Sequence, residues 1–273
     1  MIIDFHTHVF PDKIAAATVS ALQKNSNALA FSNGTVSGLI SQMRKAGVDV
    51  SVNLPVLTKP TQFDSVFKFA TALNEAYKDT EPGSPRIISF AGMHPDIEDY
   101  EEKLLLIKES GIKGIKIHPD YQGTFFDDER YVGILAEAKR LGLITVTHAG
   151  FDGAYVGQPI KCTPRRVINL LEKIGGYDKL VLAHMGGNQL FYRAYRKLAG
   201  KDVYFDTAYV LQFFSSRKFK KTIKKHGSEK ILFATDSPWR SPAVDAEILK
   251  NFSLDKAVEE QIFSENARKL LNI

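Results

Sequence analysis

Short β-branched or apolar runs alternate with helical patterns from one end of this sequence to the other. Residues 2–8, 48–54, 86–93, 114–118, 143–148, 180–184, 203–207 and 231–236 read as strands. Between and after them, residues 36–46, 63–78, 99–110, 129–141, 164–174, 189–198, 217–226 and 243–249 carry apolar side chains at helical spacing. Such units build a parallel sheet with crossover helices. Eight of them in 273 residues are what a (β/α)8 barrel, the TIM barrel of the α/β class, requires. An open doubly wound sheet would show fewer strands and a phosphate-binding glycine loop near its start, and no G-x-G-x-x-G follows the first strand.

Local chemistry supports the boundaries. Gly47, Gly111 and Gly142 stand just past helical runs, and Pro164 suits a first helical turn. Residues 254–272 read as one or two closing helices, and no linker composition divides the chain, so one domain over residues 1–273 is expected. Three connections exceed what the fold needs: 9–35, with a short helix around 13–22, then 119–128 and 150–163. They follow strands one, four and five, on the face where barrel enzymes build their sites, which makes them lid and specificity segments.

Histidines gather on that same face. Of seven, His6, His8, His94, His118, His148 and His184 close a strand or directly follow one. Packing histidines would not collect at the ends of short strands, and in a barrel those ends converge on one rim. His226 precedes Gly227 at the end of a basic helix, where a C-terminal structural role explains it.

Side-chain alternation aims several of these groups inward. In Asp4-Phe5-His6-Thr7-His8, His6 and His8 share a strand face and can grip one ion, with Asp4 on that face as an orienting partner. His148 shares its face with Ile144 and Val146, and His184 with Leu180 and Leu182; each serves either as a hydrogen-bonded core histidine or as part of a site. His94 and His118 precede proline and either shape a turn or reach the site. Asp236 shares its face with Leu232 and Ala234, and a carboxylate directed into a barrel mouth needs a cation or donors to meet it; capping the Ser237-Pro238 turn is the alternative. Lys116, opposite in face to Ile115 and Ile117, needs an anionic partner, either substrate or a carboxylate such as Asp4. Arg240 either adds a positive group at the rim or sits in an exposed turn.

Composition excludes several functions. Cys162 is the only cysteine, so there is no internal disulfide and no multi-thiolate metal centre. The net charge of +5 is modest, and residues 217–225, RKFKKTIKK, supply six of the positive charges, as a solvated helix face does. Neither a nucleic acid nor a membrane is an expected partner, and the cytoplasm is the expected location.

The ordered set DFHTH, KIHP, TVTHAG, LAHMGG and FATDSPW, spread over almost the whole chain, resembles the amidohydrolase superfamily. More narrowly it resembles the "amidohydrolase 2" group of metal-dependent TIM-barrel hydrolases, which includes aminocarboxymuconate semialdehyde decarboxylase. The resemblance implies His6, His8, His148 and Asp236 as ligands of a single divalent metal, with zinc expected, and His184 beside the metal-bound water. Binuclear members use a carboxylated lysine or a glutamate at the end of strand four. The corresponding position here is Lys116, which could be carboxylated and bridge a second metal, although the narrower group favours an unmodified lysine. TatD-like deoxyribonucleases also begin with HxH but carry that glutamate.

The leading expectation is therefore metal-assisted hydrolysis of an ester, lactone or amide of a small carboxylic acid. Asp236 would be the base, His184 would stabilise developing charge, and Lys116, His118 and Arg240 would bind an acidic group. Decarboxylation or hydration of a small unsaturated or aromatic acid is the alternative, a catalytically silent binding barrel is a third reading, and self-association is left open.

Overall fold

The computed structural model describes residues 1–81 and 83–273. Its strands are β1 (Ile3–Thr7), β2 (Val50–Asn53), β3 (Arg86–Ser89), β4 (Ala91–Gly92), β5 (Gly114–Ile117), β6 (Ile144–Thr147), β7 (Leu180–Leu182), β8 (Tyr204–Asp206) and β9 (Ile231–Leu232). The third expected strand is split at Phe90 into β3 and β4, so nine short strands form eight staves. Neighbours pair in parallel in the orders β1-β2-β3 and β4-β5-β6-β7-β8-β9. The first and last staves meet through Phe5 N donating to Phe233 O at 2.9 Å, Asp236 N donating to His6 O at 2.8 Å, and a parallel bridge between Thr7 and Ser237. The (β/α)8 barrel read from the sequence is the fold observed.

Helices follow the staves in order: α1 (Asp12–Ser26), α2 (Val36–Ala46), α3 (Phe63–Ala76), α4 (Tyr100–Glu109), α5 (Glu129–Arg140), α6 (Pro164–Ile174), α7 (Phe191–Lys197), α8 (Ser216–His226) and α9 (Pro242–Asn251). The closing run is α10 (Lys256–Glu260), a π turn over Gln261–Glu265, and α11 (Asn266–Leu271). Local chemistry sets the ends. Thr35 and Thr163 accept from the backbone N–H groups of Gly38 and Arg166, and Gly47 closes α2 at φ 67°, a region where a Cβ is costly. The helix expected at 13–22 is longer: an alanine-rich run carries α1 through Ser26, and Asn27, left-handed at φ 57°, closes it.

Two apolar layers hold the barrel. Inside, Val50, Val52, Ile144, Val146, Val181 and Leu232 pack together, with Ala267 and Leu271 of α11 against them. Outside, Ile115, Ile117, Leu180, Leu182 and Phe205 meet the helices. Each fully buried aliphatic side chain stabilises this packing by roughly 1.5–3 kcal/mol. The interior has little spare room. A Cβ on Gly114 would lie 2.3 Å from Ile144 O and 2.7 Å from the Phe90 ring.

One stave departs from simple alternation. The β1–β2 register shifts between Asp4 and Thr7, so Ile3 and Phe5 join the interior core below while His6 and His8 face the cavity above. Asp4 is turned to the other side. Its carboxylate accepts from the Thr235 hydroxyl at 2.5 Å and from Thr235 N at 3.0 Å, near Asp245 of α9. The expectation that Asp4 shares the His6 face and partners either a ligand ring or Lys116 is therefore corrected: a one-residue slip changes which face a side chain takes.

Candidate metal centre

Three ligand atoms come together where β1 meets the end of the last stave. His6 Nε2 and His8 Nε2 are 3.2 Å apart, and Asp236 Oδ1 stands 3.1 Å from His8 Nε2 and 3.4 Å from His6 Nε2. The bulge aims both histidines from one stave. Asp236, past the end of β9, reaches them from a left-handed backbone at φ 69°.

Each ring is oriented by its far nitrogen. His8 Nδ1 donates to Leu54 O at 2.8 Å, and His6 Nδ1 donates to Asp206 Oδ2 at 2.8 Å. A carbonyl and a carboxylate only accept, so these bonds fix the protons on Nδ1 and leave lone pairs on both Nε2 atoms. Burial, then the charge of Lys116, drive the His6 pKa well below its ordinary value, which keeps that ring neutral. Two lone pairs and a carboxylate oxygen this close repel one another, and the Lys116 ammonium, 3.1 Å from His6 Nε2, meets that lone pair but not the one on His8. The donor set therefore fits a divalent ion held by two imidazoles and a carboxylate.

A second chain of imidazoles adjoins the first. His184 Nδ1 donates to Ala208 O at 2.9 Å, and its Nε2 accepts from His148 Nδ1 at 3.0 Å. That sequence of donors leaves His148 Nε2 with its lone pair, buried and with no hydrogen-bond partner. The chemistry of His148 fits the ligand role expected of it, yet its position groups it with His118 and Asp152 rather than with the trio of His6, His8 and Asp236. His184 lies between the groups, its ring centroid 5.5 Å from that of His6 and 4.8 Å from that of His148.

The alternation argument does not explain how His184 arrives there. Leu180 and Leu182 pack outward against the helices, so a continued strand would send His184 outward too. The strand ends at Leu182, and left-handed φ at His184 (60°) and Met185 (55°), followed by Gly186 and Gly187, turns the ring inward. Asp206 secures the turn by accepting from His184 N at 2.8 Å.

Lys116 is buried in the barrel interior as expected, with Nζ 3.1 Å from His6 Nε2. Burial brings its pKa down to about 8, against the opposing pull of Asp206 and Asp236. Asp206 and Asp236, rather than Asp4, are the carboxylates around it. His118 also reaches the site. Its ring stacks on His148 at 4.2 Å and on Tyr121 at 3.9 Å, and its Nε2 is 3.3 Å from Asp152 Oδ2. Burial lowers the His118 pKa; burial also raises that of Asp152, but the hydrogen bond and charge of His118 outweigh it and hold the carboxyl low.

Arg240 is placed elsewhere. Its guanidinium is committed to the fully buried carboxylate of Asp245 and to Gln212, and it does not line the cavity. His94 shapes a turn, its Nδ1 accepting from Asp96 N at 3.2 Å. His226 stacks on Phe205 at 3.9 Å and accepts from Gly200 N, a packing role on the outer face.

Above these groups lies a cavity of about 550 Å³. All three long connections contribute to it: Phe10, Ile14 and Leu22 from the first, Tyr121 from the second, Phe151 and Asp152 from the third. Two residues of the site escape the sequence reading. Asp206 ends its strand as Asp236 does, so the rule that singled out polar strand ends applies to it equally. Asp152 lies in a connection whose path no local pattern encodes.

A family model described as Amidohydrolase matches residues 3–273. Comparison with curated proteins finds no match. Among solved structures the chain is similar to 2,6-dihydroxybenzoate decarboxylase from Rhizobium, at 18% identity and TM-score 0.71, over 99% of this chain and 98% of that one. It is similar to 5-carboxyvanillate decarboxylase from Sphingomonas paucimobilis at 15% identity and TM-score 0.73, over 100% and 99% of the two chains. A third likeness, at 15% identity and TM-score 0.74, is to 5-carboxyvanillate decarboxylase from Novosphingobium aromaticivorans complexed with manganese and 4-hydroxy-3-methoxy-5-nitrobenzoic acid, over 100% and 96%. At these identities the likeness speaks to the fold, and it extends over the whole barrel. Among the described residues, no helix is long and apolar enough to cross a membrane.

Proposed function

The chain belongs to the amidohydrolase family, and from that membership we propose that it is a metal-dependent decarboxylase of a small aromatic acid. The observation that carries the reading is the convergence of His6 Nε2, His8 Nε2 and Asp236 Oδ1 beside the buried Lys116 ammonium, under one cavity. This pairs a cation-binding trio with a buried positive charge, which suits a substrate with an anionic group.

A divalent ion held by His6, His8 and Asp236, with the unpartnered Nε2 of His148 as the further ligand, would supply Lewis-acid polarisation of the substrate oxygens. Nitrogen-rich ligation suits zinc, while a similar solved structure is described with manganese; one ion with an unmodified Lys116 accounts for the residues present. Lys116 would draw in the carboxylate. His118, stacked between Tyr121 and His148, would present its ring edge to the acid, and Tyr121, which lines the cavity, would offer an aromatic surface to a planar ring. In the reaction the bond from ring carbon to carboxylate breaks, its electron pair stays on the carbon, and that carbon takes a proton. The carboxylate departs as CO2; Asp236, at the floor of the cavity, would take a proton from water and pass it to the carbon, and His184 would stabilise charge beside it. The neighbours' described ligands, 2,6-dihydroxybenzoate and a nitrobenzoic acid, support an aromatic acid as substrate class.

Hydrolysis of an ester, lactone or amide is the second reading, favoured by the same Asp236 carboxylate standing ready as a base toward water. One experiment separates them. The metal-loaded protein is offered hydroxybenzoates and, separately, aryl esters and lactones, with CO2 release and acid release measured. CO2 from the benzoates, abolished by chelation and by His8→Ala, is the expected result. Acid release from the esters alone would replace the first reading with the second, and full metal content and activity in His8→Ala would overturn the site itself.

A further inference from the structure

The cavity above the metal centre is larger than the chemistry at its floor requires. It encloses about 550 Å³, whereas an engineered apolar cavity of roughly 150 Å³ is filled by one benzene. The additional space has walls of a different kind. Ile14, Thr18 and Leu22, one stripe of α1 at i, i+4, i+8 spacing, line one side, while Val66 and Phe69 of α3, with Val56 before it, line another. Apart from Lys116, Asp236 and Asp152, no Asp, Glu, Lys or Arg among the described residues lines the cavity.

The path of α1 makes this wall part of the site. The helix leaves β1 on the first stave and ends against the turn Gly153–Tyr155 after β6, the fifth stave. In a ring of eight staves those two are opposite, so α1 and the connection that meets it together span the mouth. The contact at its far end is close: a Cβ on Gly153 would lie 2.7 Å from Ser26 O. Ile14 lines the cavity yet remains 49% exposed, an apolar surface that the protein itself leaves uncovered.

We propose that the space between α1 and α3 is a subsite for an uncharged apolar substituent, so that the substrate is an amphipathic acid. Its carboxylate end lies at the metal centre, and an alkyl or aryl body extends along Ile14, Leu22, Val66 and Phe69. The proposal rests on the reading above only for which end of the molecule lies at the floor. A ligand consisting of a single substituted ring leaves this wall facing water; one with an apolar body removes that surface from solvent.

The test is calorimetric binding of benzoate and 4-alkylbenzoates, from methyl to hexyl, to the metal-loaded full-length chain. Affinity is expected to rise about fourfold for each added methylene until the subsite is filled. Ile14→Asn, at a half-exposed position where folding is not at stake, flattens the dependence on chain length, and Val66→Asn on the opposite wall does the same. A series that is flat in the wild-type protein, one whose increments survive both substitutions, or binding of no member at all overturns the proposal. Failure of the functional reading is seen separately, as benzoate binding that ignores metal removal or an absence of CO2 release, while the chain-length increments stand or fall on their own.

Discussion

Asp206 Oδ2 accepts the Nδ1 proton of His6 at 2.8 Å, across 200 positions of sequence, and so decides which nitrogen of His6 faces the cavity. The same carboxylate accepts from His184 N through Oδ1. One buried residue thus orients a ring of the trio and anchors the turn that brings in a second ring.

Asp206→Ala is expected to weaken metal binding by roughly 10- to 100-fold, because the His6 tautomer is no longer fixed. Competition with a chromophoric chelator measures the affinity. Wild-type affinity in a folded variant would remove Asp206 from this role.

Lys116→Met removes the positive charge beside His6 Nε2 while keeping most of the side-chain volume. Loss of a buried partner to a substrate carboxylate is expected to cost about 2 kcal/mol, or roughly a 30-fold rise in KM. Metal content should be retained. A variant with unchanged KM but lost metal would instead make Lys116 part of the ion's own surroundings.

Arg240→Ala should behave differently, because Arg240 is held by the fully buried Asp245 rather than facing the cavity. Leaving that carboxylate unpaired is expected to destabilise the fold by about 3–5 kcal/mol, read as a lowered midpoint in urea. KM should not change. A rise in KM at intact stability would return Arg240 to the substrate.

Acid sensitivity should trace in part to His226. Burial on the outer face holds its pKa down at about 4, from an ordinary 6.5. Between those values the unfolded chain binds a proton that the native state refuses, so stability is full above pH 6.5 and declines as pH falls toward 4. The cumulative loss is about 2–3 kcal/mol. His226→Gln, which cannot titrate, is expected to show a smaller drop in Tm between neutral and acidic buffer than the wild-type chain. An equal drop in both proteins would assign the acid limb to other groups.

The site was partly legible in the chain. His6, His8 and Asp236 carry their evidence locally, since each closes a stave and staves converge. His184 owes its place to a turn and not to alternation: alternation along 180–184 sends it outward, and positive φ at His184 and Met185 turns it in. Arg240 sat at the right end of the barrel, but its rotamer is claimed by Asp245, five residues on, once α9 packs down.

What the sequence determined by itself is the stave count, the helix that follows each stave, and the rim at which five of its histidines line the cavity. Those depend on periodicity and end signals within a few residues, which backbone geometry converts directly into faces and ends. The tertiary structure alone decided that Asp4 turns away from His6, that Asp206 meets His6 and His184, and that α1 lies against the cavity as an apolar wall. A register shift, a buried partner 200 residues distant and the course of a long connection are settled by packing between staves, and no local pattern specifies them.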